Sequence, residues 1–213
     1  MKLFEKLIKR LAPKAAISFS VLWPSYKSIG LVRKHNEIQI TVEELKTIAD
    51  VLRHRGACNF LVFGLGNDSL FWSKFNRGGK TVFLEDDNEW FTKILKKNDR
   101  LTAYLVDYRT RLTQWKEFLG SPAVFDLDLP EEVRSFQWDV ILVDAPAGWY
   151  DTAPGRMKSI AAASKLARDS GDVFVHDCDR NVEKIYCDRY LKSENLVAEV
   201  GKLKHFRMNR GNA

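Results

Sequence analysis

The sequence predicts a doubly wound α/β protein with a mainly parallel sheet and an antiparallel C-terminal edge. Short apolar runs typical of buried strands alternate with segments of helical periodicity. One unit, residues 59–85 (NFLVFGLGNDSLFWSKFNRGGKTVFLE), joins a strand, a glycine turn, a short helix and a second strand. Polar residues follow each predicted strand, and sheets of this kind bind their ligands at that edge.

Length and composition indicate one domain with a small N-terminal addition. The chain has 213 residues, 45% of them hydrophobic, which is enough for one well-buried core. We divide it into an arm, residues 1–40, and a domain, residues 41–213. The formal charge of +6 favours acidic partners, but the basic residues are spread along the chain, so we expect no nucleic-acid binding. The sequence leaves the oligomeric state open.

Cysteine usage and hydropathy bear on the compartment. Cys58, Cys178 and Cys187 are odd in number and contain no C-x-x-C pair, which favours neither a disulfide framework nor a cysteine zinc site. No apolar run reaches the roughly 18 to 20 residues of a membrane span. We therefore expect a soluble, cytoplasmic protein in a reducing environment.

The arm and the first helix of the domain come before the glycine turn. Residues 2–12 predict an amphipathic helix, which either packs on the domain or anchors it to a surface or partner. Residues 13–40 are expected to be irregular. Thr41 and Glu44 form a capping box for a helix that runs to about His54 and is ended by Gly56.

The elements after Glu85 continue the alternation. Residues 120–135 are expected to be rich in loops, and residues 196–208 to form an antiparallel edge hairpin around Gly201. The predicted helices are residues 88–97, 110–119, 156–168 and 182–191. The predicted strands are residues 101–106, 138–143 and 171–175.

The glycine turn predicts a site for an adenosine-bearing cofactor. Gly64 and Gly66 let the backbone approach a ligand, and Glu85 at the end of the next strand can accept both hydroxyls of a ribose. The turn lacks the third glycine of the dinucleotide fingerprint, which leaves the compact S-adenosylmethionine as a good candidate. Asp68 and Ser69 are alternatively helix caps, and Asp107 with Tyr108 either flanks the adenine or forms a surface loop. The candidate cofactor-binding residues are Gly64, Gly66, Asn67, Asp68, Ser69, Glu85, Asp107 and Asp144.

Five ordered motifs carry a resemblance to a known family. NFLVFGLGNDSLFW, GGKTVFLEDD, WDVILVDAPAGW, APGRM and DVFVHDCDR resemble the plant polysaccharide O-methyltransferases, which include glucuronoxylan 4-O-methyltransferases and irregular-xylem proteins. The resemblance spans residues 41–206 and implies a Rossmann-like domain, S-adenosylmethionine as methyl donor and a uronic-acid-bearing polysaccharide as acceptor. It also implies the Golgi lumen as an alternative location. The chain departs from the usual family residues at Asn67, Asp86, Ala147, Trp149 and Cys178.

Acidic residues and a histidine follow two neighbouring predicted strands and suit the chemistry of methyl transfer. A sugar hydroxyl is a poor nucleophile while protonated, so a base or a metal ion is expected near it. We assign Asp144, Asp177 and His176 as catalytic candidates, and Asp144, Asp177 and Asp179 as ligands of a possible divalent cation. Alternatively, Asp177 and Asp179 cap the following helix and His176 is a hydrogen-bonded structural residue.

Three residues near Asp144 are candidates for binding the acceptor. Arg156 can grip a uronate carboxylate through its planar fork, or lie on a helix surface. Trp149 and Tyr150 can stack on sugar rings, or cover the core.

The preferred hypothesis is an S-adenosylmethionine-dependent O-methyltransferase that acts on a carbohydrate hydroxyl, with an acidic glycan as substrate. The alternative is a non-catalytic factor of polysaccharide biosynthesis that keeps the same fold. A nicotinamide-dependent enzyme is disfavoured by the incomplete glycine fingerprint.

Overall fold

The computed structural model of the chain describes residues 28–36 and 38–209 and contains one seven-stranded sheet. The strands are β1 (Asn59–Phe63), β2 (Lys80–Glu85), β3 (Thr102–Leu105), β4 (Trp138–Val143), β5 (Ala167–Val175), β6 (Leu196–Val200) and β7 (Leu203–Arg207). They lie in the order β3-β2-β1-β4-β5-β7-β6. Strands β1 to β5 are parallel to one another, whereas β7 pairs antiparallel with both β5 and β6. The predicted fold class, including its antiparallel C-terminal edge, is confirmed.

The described α-helices lie before, between and after the parallel strands, and those between them form the crossovers that a doubly wound sheet requires. They are α1 (Ile29–Asn36), α2 (Val42–Arg55), α3 (Ser69–Phe75), α4 (Asn88–Lys97), α5 (Trp115–Phe118), α6 (Glu131–Arg134), α7 (Met157–Leu166) and α8 (Asn181–Tyr190). Single 3₁₀ turns lie at Leu112–Gln114, Pro122–Phe125 and Ser193–Asn195. Across the described ranges, no helix has the length and apolar character needed to cross a bilayer.

The core fills both faces of the sheet. Along β1, Leu61 and Phe63 point into one apolar cluster, and Phe60 and Val62 point into the other. This alternation follows from the two-residue period of a strand. Helices α1 to α4 cover the Phe60 side, while α7 and α8 cover the Leu61 side. Since both faces are covered, the C-terminal ends of the strands are left open to form a site.

Three expectations about the elements are corrected. Residues 13–40 are not irregular throughout, because α1 forms where Ile29 and Val32 bury their side chains in the core, and Gly30 is exposed. The helix expected over residues 156–168 ends at Leu166, and the next residues already belong to β5. The helix expected over residues 110–119 is only a 3₁₀ turn followed by the single turn of α5. The helix expected over residues 2–12 lies outside the described residues, and the domain boundary at residue 40 stays a prediction.

The capping box before α2 forms as predicted. The Glu44 backbone N–H donates to Thr41 Oγ1 at 3.3 Å, and the Thr41 N–H donates to Glu44 Oε2 at 2.7 Å. At the other end of the helix the Gly56 N–H donates to the Leu52 carbonyl. This reciprocal pairing satisfies donors that a helix N-terminus otherwise leaves unpaired.

A buried ionic cluster joins the edge hairpin to the parallel sheet. The Asp172 carboxylate on β5 has no solvent exposure, and His205 Nε2 lies 2.7 Å from its Oδ1. Arg207 from β7 donates to the same oxygen at 3.0 and 3.1 Å, and Arg55 Nε donates to Oδ2 at 2.5 Å. Burial alone raises the pKa of Asp172, but the hydrogen bonds from His205 and Arg55 outweigh it and hold the pKa below its ordinary value.

We expect Asp172→Asn to lower the free energy of unfolding by about 3 to 5 kcal/mol, because it removes the charge of a fully buried carboxylate that pairs with Arg55 and Arg207. Since the pKa of Asp172 is lowered in the folded state, its contribution is present above its unfolded pKa and is lost as the pH falls through the folded pKa. Urea unfolding as a function of pH measures both effects. Asp50→Asn, which breaks an exposed pair with Arg53, is the matched control and should lower the free energy of unfolding much less.

Candidate active site

One cavity at the C-terminal ends of the strands brings together most of the predicted site residues. We call it the strand-end cavity; its volume is about 630 Å³, within the usual range for a small-molecule site. Its sequence-predicted lining residues are Gly64, Gly66, Asp68, Glu85, Asp144, Trp149, Tyr150, Arg156 and Asp177. They lie at or after the C-terminal ends of four strands, β1, β2, β4 and β5, which a parallel sheet with this strand order brings to one edge.

The glycine turn and Glu85 are tied to each other. Gly64 has a φ of 124°, a backbone conformation that favours glycine, and a Cβ there would lie 3.3 Å from the Ala145 Cβ. The Leu65 N–H donates to Glu85 Oε2 at 3.0 Å. The Asp86 and Asp87 N–H groups donate to Glu85 Oε1 at 2.9 and 3.0 Å. The buried Glu85 carboxylate is therefore fixed beside the turn, at the position expected for a ribose acceptor.

Asp68 and Ser69 do not cap α3 in the expected way. The Asp68 carboxylate makes no capping hydrogen bond and accepts instead from the Trp72 indole N–H at 2.7 Å. Ser69 Oγ accepts from the Gly66 N–H at 2.8 Å, which holds the turn closed, and Ser69 does not line the cavity. Burial raises the pKa of Asp68 to about 6, and the negative charge of Asp144 adds to this. Asn67 lines a smaller adjoining cavity of about 320 Å³.

Asp144, His176 and Asp177 form the centre of the site, at the ends of β4 and β5. His176 Nδ1 lies 3.0 Å from Asp144 Oδ1 and 3.6 Å from Asp177 Oδ1. The Asp144 side chain is 32% exposed and faces the cavity, whereas that of His176 is 8% exposed and lies behind it. Asp177 has a φ of 59°, a left-handed conformation that is uncommon outside glycine and concentrates at functional sites.

A third carboxylate supports His176 from the interior. His176 Nε2 lies 3.6 Å from Oε2 of Glu44, the same glutamate that closes the capping box. Burial on its own lowers the pKa of His176, but the hydrogen bond that its ring donates to Asp144 and the charges of Asp144, Asp177 and Glu44 hold it above the ordinary value. The arrangement therefore favours an imidazolium that donates to Asp144.

Arg156 is not placed to grip a substrate carboxylate. Its side chain is 4% exposed, and it donates to the carbonyls of Pro146, His176 and Asp144. Its Nη2 also lies 2.9 Å from Asp177 Oδ2 and 3.3 Å from Asp144 Oδ1. The guanidinium is committed to holding the two strand ends together, which corrects the expected role.

Two further acids lie away from this centre. Asp179 is exposed and pairs with Lys202 at 3.0 Å, so it is not grouped with Asp144 and Asp177 as a cation ligand. Asp107 is exposed, pairs with Arg109 at 3.1 Å and lines a neighbouring cavity of about 590 Å³ that shares only Asp86 with the strand-end cavity. Tyr108 is buried at that neighbouring cavity.

The aromatic pair of the loop after β4 is open to solvent. Trp149 is 68% exposed, and its ring centroid lies 5.5 Å from that of Tyr150 with the rings nearly perpendicular. Both line the strand-end cavity. They do not cover the core, which leaves the predicted stacking role in place.

The lining also contains residues that the sequence did not single out. Asp86 follows the ribose acid directly, and burial together with the Glu85 charge raises its pKa to about 6. Trp90 donates its indole N–H to the Leu65 carbonyl at 2.6 Å. Gln39 comes from the segment before α2 and has no sequence signal. Arg180 is the last residue of the motif DVFVHDCDR. Its position three residues after Asp177 and directly before α8 could have identified it.

The centre of the site has the donor set of a cation site. Asp144, His176 and Asp177 each offer one ligand atom, and these atoms lie within 4.8 Å of one another. Carboxylate oxygens suit Mg²⁺ and Ca²⁺, and an imidazole nitrogen extends the choice to transition metals. Because His176 must be neutral to bind a metal, a bound cation would compete with the proton that this site favours.

Comparison of the sequence with known proteins gives one family. The family model described as IRX15/IRX15L/GXM matches residues 43–124 and 121–206. Arabinogalactan O-methyltransferase 2 of Arabidopsis thaliana is 40% identical over 197 residues, covering 81% of this chain and 68% of that protein. Glucuronoxylan 4-O-methyltransferase 2 of the same plant is 42% identical over 189 residues, covering 79% and 65%. Protein IRREGULAR XYLEM 15 is 34% identical over 204 residues, covering 84% and 63%.

Solved structures share the fold at low sequence identity. A putative caffeoyl-CoA O-methyltransferase from Staphylococcus aureus is 15% identical with a TM-score of 0.52, covering 93% of this chain and all of that one. The O-methyltransferase from Bacillus cereus in complex with SAH is 14% identical with a TM-score of 0.51, covering 91% and 97%. The chain therefore has the fold of these O-methyltransferases.

Proposed function

Since the chain belongs to the IRX15/IRX15L/GXM family, we propose that it is an S-adenosylmethionine-dependent O-methyltransferase acting on a carbohydrate hydroxyl. The observation that carries the proposal is the convergence of Asp144 and Asp177 on one cavity with the Gly64–Gly66 turn and Glu85. This convergence supports a proton acceptor and a nucleoside site within the same cavity of about 630 Å³.

The residues of the cavity fit the methyl donor. Gly64 leaves the backbone open where a side chain would meet Ala145, and Glu85 presents a fixed carboxylate to a ribose. The acidic lining of Asp68, Asp86 and Asp144 favours a ligand that carries positive charge. When bound, S-adenosylmethionine would supply the methyl group, and S-adenosylhomocysteine would be the leaving group as the carbon–sulfur bond breaks, so no covalent intermediate with the protein is needed.

The role of this chain is to position the acceptor and remove its proton. Asp144 is the most exposed of the three central groups and takes the hydroxyl proton as the oxygen attacks. His176 and Arg156 hold its carboxylate in place from behind, and Asp177 is fixed by the same arginine. Holding the two reactants in near-attack geometry accounts for up to about 7 to 11 kcal/mol of barrier lowering in favourable cases.

A divalent cation is a proposed addition to the same centre. Asp144, Asp177 and His176 would hold it, and it would lower the pKa of an acceptor hydroxyl by acting as a Lewis acid.

The acceptor is proposed to be a polysaccharide, with a uronic-acid-bearing glycan as the first choice. Two lines of support are the names of the relatives, which specify arabinogalactan and glucuronoxylan, and the open aromatic pair Trp149 and Tyr150 at the cavity. Exposed aromatic faces beside a catalytic cleft are suited to the apolar faces of sugar rings.

The test begins with isothermal titration of the protein with S-adenosylmethionine and S-adenosylhomocysteine, with and without Mg²⁺ or Co²⁺. We expect saturable binding near one site per chain, followed by transfer of a labelled methyl group to glucuronoxylan or arabinogalactan oligosaccharides. A rate of methyl transfer that rises with the cation and falls on chelation supports the metal site. Equal rates with and without the cation contradict it. Absence of donor binding in every condition overturns the enzyme and favours the non-catalytic polysaccharide factor.

A further inference from the structure

The strand-end cavity is lined by more acidic than basic side chains, which does not favour the acidic acceptor that we propose. Its lining includes carboxylates from six residues: Asp68, Glu85, Asp86, Asp87, Asp144 and Asp177. These attract a cationic methyl donor and repel a glycan that carries its own carboxylate. Among the described residues, the lysine and arginine side chains that line this cavity are Arg156 and Arg180. An acidic acceptor must therefore meet one of these two.

Arg180 has the open position that Arg156 lacks. Its side chain is 26% exposed, and its Nη2 pairs with Asp177 Oδ2 at 2.9 Å. Its Nη1 is buried, makes no hydrogen bond and forms a longer ion pair with Glu183 Oε1 at 3.7 Å. A guanidinium has five donors in a planar fork. The contact to Asp177 uses Nη2, and the partly exposed side chain lines the strand-end cavity.

Arg180 also lies beside the aromatic pair. Its guanidinium carbon is 5.8 Å from the centroid of the Trp149 ring, within the range of a cation–π contact. The same loop passes close to Glu183, since a Cβ on Gly148 would lie 2.7 Å from Glu183 Oε1. An arginine and an exposed indole are therefore held side by side, next to the proposed catalytic carboxylates.

We propose that Arg180 and Trp149 form the acceptor-selecting subsite, in which Trp149 stacks on a sugar ring and Arg180 binds the carboxylate of a uronic acid. This rests on the proposed function, because it names the group of the acceptor that the same cavity recognises. The planar fork of arginine binds a carboxylate through two parallel N–H···O hydrogen bonds, a geometry that lysine cannot reproduce. Without that contact the acidic lining would exclude such an acceptor.

The test compares two oligosaccharides of xylose, one with a glucuronic acid side group and one in which that carboxyl has been reduced to the alcohol. Binding is measured by calorimetry and turnover by methyl transfer, for the parent protein and for the variants Arg180→Gln, Arg180→Lys and Trp149→Ala. Arg134→Gln is the control, because Arg134 is an exposed arginine that pairs with Glu131 and does not line the strand-end cavity.

We expect the parent to prefer the acidic oligosaccharide, and Arg180→Gln to weaken its binding by about 10- to 100-fold while changing that of the reduced one little. Arg180→Lys should keep the fold and still lose much of the preference. Trp149→Ala should weaken the binding of both oligosaccharides to the same extent. Donor binding should be unchanged in every variant.

Separate outcomes overturn this inference and the proposed function. If Arg180→Gln and Arg180→Lys lose affinity for both oligosaccharides equally, Arg180 only holds Asp177 in place. If these variants keep the parent's preference for the acidic oligosaccharide, Arg180 has no role in selecting it. Either result overturns the subsite, as does a parent protein that binds neither oligosaccharide. Binding that depends on Arg180, without any methyl transfer by the parent, would instead overturn the proposed function and leave the subsite standing.

Discussion

Asp144→Asn is expected to lower the rate of methyl transfer by about 100- to 10,000-fold, the contribution that a positioned acid or base makes in other enzymes. Asn keeps an oxygen that can accept from His176 and Arg156, so the three-way contact and the fold should survive. What the substitution removes is the negative charge that takes the hydroxyl proton. Donor affinity should therefore stay close to that of the parent, with the loss confined to turnover.

The matched control is Asp179→Asn, which changes an acid two residues after Asp177. Asp179 is exposed and pairs with Lys202 outside the cavity, so its substitution should leave turnover nearly unchanged. Methyl transfer under single-turnover conditions, donor titration and thermal unfolding together separate the effects. Turnover retained in Asp144→Asn contradicts the role of Asp144 as base. Recovery of the variant at high divalent cation concentration would identify the carboxylate as a metal ligand.

The fold class and the positions of the parallel strands could be predicted because each strand has a local sequence signal. The runs at β1, β2 and β4 are apolar on both faces, which is typical of strands buried on both sides. Thr41, Glu44 and Gly56 mark both ends of α2. Helix α1 was missed because its stability comes from burying Ile29 and Val32 against the core, a tertiary effect that local periodicity does not contain.

The position of the site was predictable, whereas the direction of each side chain was not. Residues that follow parallel strands converge at one edge, so Gly64, Glu85, Asp144 and Asp177 meet at one cavity. Which of two acids points inward depends on single backbone angles. The left-handed turn at Asp177 is followed by an Asp179 side chain that lies at Lys202, outside the cavity.

The two arginines illustrate the same limit. Arg156 and Arg180 both follow site loops in the sequence, and either can bind a carboxylate by its chemistry alone. Arg156 donates to three backbone carbonyls, because the loop after β4 must close against the end of β5. Such backbone acceptors carry no sequence signal, so only the fold separates a structural arginine from one that is open to a ligand.

Glu85→Gln is expected to weaken the binding of S-adenosylmethionine by about 10- to 100-fold, equivalent to losing a charge-assisted hydrogen bond of about 1.5 to 3 kcal/mol. A carboxylate has roughly four lone-pair sites. Three are occupied by the N–H groups of Leu65, Asp86 and Asp87. We therefore expect the site that is left to accept one ribose hydroxyl, rather than the two that the sequence suggested, and the neighbouring Asp86 to accept the second.

The substitution acts on the turn as well as on the ligand. The amide nitrogen of Gln cannot accept from an N–H group, so either Leu65 or the pair Asp86 and Asp87 loses its acceptor. If the Leu65 contact is lost, the Gly64–Gly66 turn loosens and S-adenosylhomocysteine should be weakened as much as S-adenosylmethionine, because both share the same nucleoside. Glu89→Gln, an exposed acid on α4, is the control and should bind both ligands like the parent. Parent-like affinity in Glu85→Gln would place the nucleoside elsewhere, and the neighbouring cavity at Asp107 and Tyr108 would then be the position to test.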